Sequence, residues 1–363
     1  MLQYVLKRLL LIIPTLFGIM FINFLIVQWA PGGPVEQAIA QLRGWDVGAT
    51  QQLGGTTLGD QQNVGNFQNS QYRGAQGLPL EIIERIEKQF GFDKPWYERF
   101  GIMVKNYLTF DFGESYYIDR TVLELLAERL PVSISLGLWS TLLTYLISIP
   151  LGIRKALHHG STFDVSTSFV VVIGYAIPSF LFAILLVVLF AGGTYWQWFP
   201  LRGLTSDNFD DLSLLGKITD YFWHLALPTL AMVIGNFATL TLLTKNSFLE
   251  EIHKNYVTTA RAKGCNSRQV LYGHVFRNAM LVIVSGLPSA LISVFFTSGL
   301  LIEYIFSLNG IGLLSFESTL NRDYPVVFGT LYIFTIIGLL IKLISDLTYV
   351  WIDPRIDFET RNR

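Results

Sequence analysis

Apolar residues along this chain come in long uninterrupted blocks, where a soluble domain would show alternation or narrow stripes. Stretches without Asp, Glu, Lys or Arg run over 9–35, 130–153, 165–201, 221–244, 278–302 and 324–341. About 20 mainly apolar residues cross about 30 Å of hydrocarbon as a helix, so the pattern predicts six spans and an all-α integral membrane fold. The third block exceeds one crossing, but it ends in the aromatic cluster YWQWF at 195–199, which suits a membrane–water interface, and it reads as one helix. Asp220 to Trp223 would mark the same interface at the start of the fourth span, and the last span is predicted to run past Lys342 and Asp346 to Trp351.

The polar residues between the blocks set an orientation. Lys7 and Arg8, then Arg154 and Lys155, then Lys245, Lys254, Arg261, Lys263, Arg268 and Arg277, then Arg355, Arg361 and Arg363 all fall on one side. Short cytoplasmic loops retain Lys and Arg, so that side is expected to be the cytoplasm, with both termini inside. Arg202, Lys217 and Arg322 fall opposite, with a long outer segment that is exempt from the rule. Lys7 and Arg8 precede an apolar run without a small-residue cleavage site, so the first block is expected to be an uncleaved span. The chain thus divides into a first helix (1–30), an outer insertion (31–129), a six-span core closed by 130–352, and an inner tail (353–363). Within the insertion, 44–77 is rich in Gly, Gln and Asn and reads as a tether, whereas Ile82, Ile83, Ile86 and Phe90 recur at helical spacing before Gly91.

Composition narrows the chemistry. Only 15% of the 363 residues are charged against 51% hydrophobic, the net charge is −1, and no nucleic-acid partner is expected. The single Cys265 excludes an internal disulfide and any multi-cysteine metal site. No Gly-x-x-x-x-Gly-Lys-Ser/Thr motif exists, since the one Gly-Lys pair, Gly216-Lys217, precedes Ile218; no His-Glu-x-x-His helix exists either. His158 and His159 lack ligand spacing, so no metal, no cofactor and no enzymatic activity are assigned to this chain.

The inner loop 245–277 is the most informative polar segment. Phe248, Ile252, Tyr256 and Ala260 recur every four residues and lead to Gly264, which predicts a helix with one apolar stripe stopped at that glycine. Asn266 can cap a second helix with Gln269 as its capping-box partner, and Val270, Leu271, His274 and Val275 would form its apolar face. Two short helices joined by a glycine elbow result. Such a basic amphipathic element can dock on a partner or lie on anionic lipid, and the pattern alone leaves both open.

The segments YVTTARAKG (256–264) and HVFRNAM (274–280) resemble the cytoplasmic coupling loop of ATP-binding-cassette importer permeases of the dipeptide, oligopeptide and nickel branch. The general signature of those permeases is Glu-Ala-Ala, three residues, then Gly; here Thr258, Thr259, Ala260 and Gly264 stand at those places. Further matching segments are YVLKRLLLIIPTL, APGGPV, DFGES, LPVSISLGL, HLALPTLAM, LIEYIFSLNGIG and DPRID, in that order along nearly the whole chain. The resemblance implies the six-helix type I importer permease fold and a translocation subunit for peptides, including microcin C-like peptide-nucleotides. It also implies a homologous second permease, a cytoplasmic ATPase that binds ATP and Mg, and a periplasmic peptide-binding protein. On this reading Tyr256, Thr258, Thr259, Ala260, Arg261, Lys263, Gly264 and Arg277 form the ATPase-coupling loop.

Other polar positions carry weaker readings. Glu303, at the outer end of the fifth span before Gly310 and Gly312, reads either as a gate or docking residue or as an ordinary interfacial carboxylate. Lys342 and Asp346 are spaced as an i to i+4 pair with the lysine snorkelling to the inner surface. Asn23 and Asn236 read as bonds between helices, and Pro150, Pro178 and Pro228 as sites of kinking. The alternative class, a secondary transporter or channel, would show coupling charges at mid-membrane or paired broken helices, and the sequence offers neither.

Overall fold

The protein is described from a computed structural model covering residues 2–29, 94–193, 195–296 and 299–352. The expected tether at 44–77, the helix expected around Ile82 to Phe90 and the tail 353–363 lie outside the described residues. Regular structure among the described residues is helical, apart from an isolated bridge between Glu114 and Thr121. In chain order the α-helices are α1 (Leu2–Trp29), α2 (Trp96–Leu108), α3 (Val122–Leu157), α4 (Thr162–Ala176), α5 (Ser179–Phe190) and α6 (Leu214–Ile252). They continue with α7 (Asn255–Ala262), α8 (Ser267–Val270), α9 (Phe276–Phe296), α10 (Leu300–Ile305), α11 (Ile311–Leu320) and α12 (Tyr324–Ile352). Five of the helical stretches are long and apolar enough to cross a membrane, or six if α4 and α5 together make one span.

That pair corrects the reading of 165–201 as one helix. The chain bends by 95° between α4 and α5. Pro178 supplies no N–H to continue the ladder, and it holds Ile177 in an extended conformation (φ −87°, ψ 119°), so the helix ends before it. The aromatic cluster does follow α5, with Trp196 and Trp198 stacked at 5.2 Å and Phe190 against both. A second difference lies at α3, which starts eight residues before the charge-free block because Thr121 and Glu124 form a reciprocal capping box across its first turn.

The chain divides into two compact units. The larger comprises residues 1–6, 127–314 and 337–363. One of its apolar clusters gathers Leu136, Ala183, Leu186, Leu225, Ala231 and Phe306 from α3, α5, α6 and the end of α10. Another gathers Ala156, Phe248, Val257, Val270, Val275 and Ile283. Between helices that lipid already solvates, close backbone approach replaces the hydrophobic drive. At Gly152 of α3 a Cβ would lie 2.8 Å from the Thr241 carbonyl of α6, so only glycine permits that crossing. Asp346 of α12 accepts a hydrogen bond from the Tyr4 hydroxyl at 2.9 Å, while Lys342 is exposed.

The smaller unit comprises residues 7–126 and 315–336. There Phe100 of α2 receives Phe17, Phe21 and Phe24 of α1 edge-on, with centroids 5.3–5.6 Å apart. The Asp323 carboxylate, just before α12, accepts from the Ser115 hydroxyl and from the Tyr116 N–H, which ties the DFGES segment to that helix. Asn23 is buried and its amide nitrogen finds no partner within the described chain, so the helix-to-helix bond expected of it is not made there. Asn236, in the larger unit, is exposed.

Candidate functional site

The loop between α6 and α9 is a folded extension of the bundle. The apolar stripe expected to run as one helix from Phe248 to Gly264 is split: α6 ends at Ile252, Lys254 turns to extended backbone (ψ 151°), and α7 starts again at Asn255. The break is fastened by Glu251, which accepts from the Tyr256 hydroxyl at 2.6 Å and from Lys254. Burial, helped by the bond to Glu251, holds the Tyr256 hydroxyl above its ordinary pKa, so it stays a donor. Ser247 secures the same corner by donating to the Ala279 carbonyl at 2.7 Å.

Gly264 then turns the chain. Its φ of +86° is the left-handed conformation in which glycine carries no Cβ penalty. The Cys265 N–H bonds the Ala260 carbonyl at 3.2 Å and the Gly264 N–H bonds the Arg261 carbonyl at 2.9 Å, which is the Schellman arrangement at a helix end. Asn266 and Gln269 exchange the expected capping-box bonds, both 2.9 Å. A π-helical turn over Leu271–Val275 leads into α9.

Burial sorts the residues of this element. Val257, Ala260, Val270, Leu271 and Val275 face inward onto Phe248, Ala279 and Ile283, and full burial of such side chains is worth about 1.5–3 kcal/mol for each large one. His274 is exposed, so it leaves the apolar face assigned to it, because the π turn rotates the helix between Leu271 and Val275. Thr258, Thr259, Arg261, Lys263, Gly264 and Arg268 are exposed. Residues 255–276 contain Arg261, Lys263 and Arg268 and no Asp or Glu, so the presented face is positive. Of the eight loop candidates, Thr258, Thr259, Arg261, Lys263 and Gly264 share this face; Arg277 is exposed farther along, at the start of α9. Tyr256 and Ala260 serve the packing underneath, Ala260 being 6% exposed.

The second candidate group lies inside the fold. Glu303 is fully buried, so it is neither an interfacial surface carboxylate nor exposed to a docked partner. Its Oε1 accepts from the Ser133 hydroxyl of α3 at 2.9 Å and its Oε2 from the Leu313 N–H at 2.8 Å, in the first turn of α11. Ser133 in turn accepts from the Ile311 N–H at 2.8 Å. Glu303 therefore satisfies a helix N-terminus from inside the fold. Gly310 lies against it, and a Cβ there would enter the carboxyl group; Gly312 follows, half-buried in α11.

Reading the sequence missed a third cluster, formed by Lys155, Asp164 and Lys245. Both lysines counted only as positive charge in inner loops. The available signal was Asp164 itself, the one acidic residue between Glu128 and Asp207.

Residues 148–358 match the family described as binding-protein-dependent transport system inner membrane component. The chain is 60% identical over 360 residues to the peptidoglycan transport system permease protein YejB of Agrobacterium fabrum, with 99% of each chain covered. It is 58% identical to the inner membrane ABC transporter permease protein YejB of Escherichia coli O157:H7, again with 99% of each covered. The oligopeptide transport system permease protein AppB of Bacillus subtilis is 31% identical, with 99% of this chain and 100% of the relative covered. A solved structure of the MetNI methionine ABC transporter, inward facing, aligns at 16% identity and a TM-score of 0.48, covering 63% of this chain and 97% of that one.

Proposed function

The chain belongs to the family of binding-protein-dependent transport inner membrane components, and from that premise we propose that it is the permease through which an ATP-driven importer moves peptides. One observation carries the coupling part of this reading: the α7–Gly264–α8 element is braced on the ends of α6 and α9 and presents a basic, acid-free face. Movement imposed on that element must pass into two spans at once. The chain has no nucleotide motif, so ATP and Mg bind a separate cytoplasmic ATPase whose groove receives Thr258, Thr259, Arg261, Lys263 and Gly264. A homologous permease completes the pathway and a periplasmic binding protein delivers cargo. The basic loops face the cytoplasm with both termini, in the bacterial inner membrane.

The relatives' names support a peptide cargo, one naming peptidoglycan transport and one oligopeptide transport. Oligopeptides, peptidoglycan-derived peptides and microcin C-like peptide-nucleotides fall within that range. Uptake of labelled members of each class by cells with and without the permease tests it, repeated with the ATPase deleted. Permease-dependent uptake should vanish with the ATPase. Uptake that survives that deletion and follows an ion gradient would replace this reading by secondary transport.

A further inference from the structure

Three helix ends meet at one buried carboxylate. Asp164, in the first turn of α4, is 3% exposed. Lys155, fully buried near the end of α3, lies 3.2 Å from its Oδ1, and Lys245 of α6 lies 2.8 Å from the same atom. The Gly160 N–H reaches Oδ2 at 3.2 Å, and the His159 ring nitrogen lies 3.3 Å from it. Burying ions in this way is a poor source of stability, since well-packed apolar residues commonly hold helices together as firmly. What an ion cluster adds is a tie with a defined geometry that can be broken and remade.

The two lysines are not equivalent. Lys155 also donates to the Asp164 carbonyl at 2.9 Å and to the Thr167 and Ser168 hydroxyls at 2.8 Å, so α3 and α4 are joined several times over. Lys245 has the Asp164 carboxylate as its bonding partner among the described residues. It sits on α6 two turns before that helix ends at Ile252, and one turn in the other direction α6 crosses Gly152 of α3 at Thr241 and Thr244. That crossing is tight enough to act as a pivot. At its other end, α4 stops at the 95° bend before α5.

We infer that Asp164 is a positioning residue for transport: through Lys245 it passes movement of the loop-bearing end of α6 to α4, and the bend at Pro178 takes up the displacement. This rests on the coupling role proposed above for the loop. The test uses the complete complex, with both permeases, ATPase and binding protein, in proteoliposomes. Lys245→Met removes the α6 tie while Asp164 keeps Lys155, so the variant is expected to assemble at the wild-type level and to hydrolyse ATP. Peptide moved per ATP should fall about tenfold, within the range single residues of a coupling network carry. Lys245→Arg, which can still reach the carboxylate, should restore most of it. Wild-type stoichiometry in Lys245→Met, failure of Lys245→Arg to rescue, or a loss of transport matched by a loss of assembled complex would each overturn the inference. Gly264→Val in the same preparation separates the two readings: if it uncouples while Lys245→Met does not, the hub alone is wrong, and if neither uncouples, the loop assignment falls too.

Discussion

Replacing Gly264 with Ala, Asn or Val separates backbone strain at the elbow from contact with a partner. Gly264 has φ +86°, and among the described residues an ideal Cβ there meets no atom within 4 Å beyond those of its two chain neighbours. Inside the subunit, then, a substitution costs conformational strain alone. That is about 1 kcal/mol for Ala, less for Asn, which visits the left-handed region more readily, and more for β-branched Val. Against a folding stability of about 5–15 kcal/mol, all three variants should reach the membrane and assemble. If strain were the whole effect, impairment would rise from Asn through Ala to Val. If the elbow seats in a groove, every added atom must also be accommodated there, at about 1–3 kcal/mol for an overpacked contact. Asn and Val, similar in size, should then both uncouple more than Ala, by roughly five- to a hundredfold. The assay is stimulation of ATP hydrolysis by loaded binding protein in the reconstituted complex, with peptide uptake measured alongside. Wild-type coupling in Gly264→Asn would refute the groove argument even if Gly264→Val failed.

Ala260→Leu tests the opposite side of the same helix: because Ala260 faces the core, the change should lower the thermal midpoint of the purified subunit by overpacking, at about 1–3 kcal/mol, and an unshifted midpoint would place Ala260 on the surface. Glu303→Gln retains one carbonyl acceptor for the two donors, Ser133 and Leu313, and should cost about 1.5–3 kcal/mol, with Gly310→Ala at least as harmful; intact thermal stability in both would contradict a buried, bonded carboxylate. For orientation, a cysteine at Asn208, exposed between α5 and α6, should react with an impermeant thiol reagent added outside intact cells while Cys265 stays unlabelled, and the reverse pattern would invert the topology.

What the sequence made legible follows the range of the interactions concerned. The spans stand out because a helix must carry its own apolar surface through the bilayer, whatever it packs against. Gly264 and the Asn266–Gln269 box stand out for the same reason: a left-handed stop and a reciprocal cap are settled within six residues. The break at Pro178 was equally local, but a window average over 165–201 hides a single residue that removes one donor and forbids one conformation. The ion hub is different in kind. Its members are separated by up to 90 positions, and each lysine alone is indistinguishable from the charge that orients a membrane protein. Glu303 shows where local reading must stop. An acidic residue at the end of a span, before a glycine turn, has the same neighbours in sequence whether it faces solvent or fills a cavity. Ser133, 170 residues earlier, decides between the two by placing its hydroxyl against the carboxylate. Once the side chain is enclosed, the hydrogen bonds it accepts from Ser133 and Leu313 fix the start of α11, and any opening of that turn has to break them first.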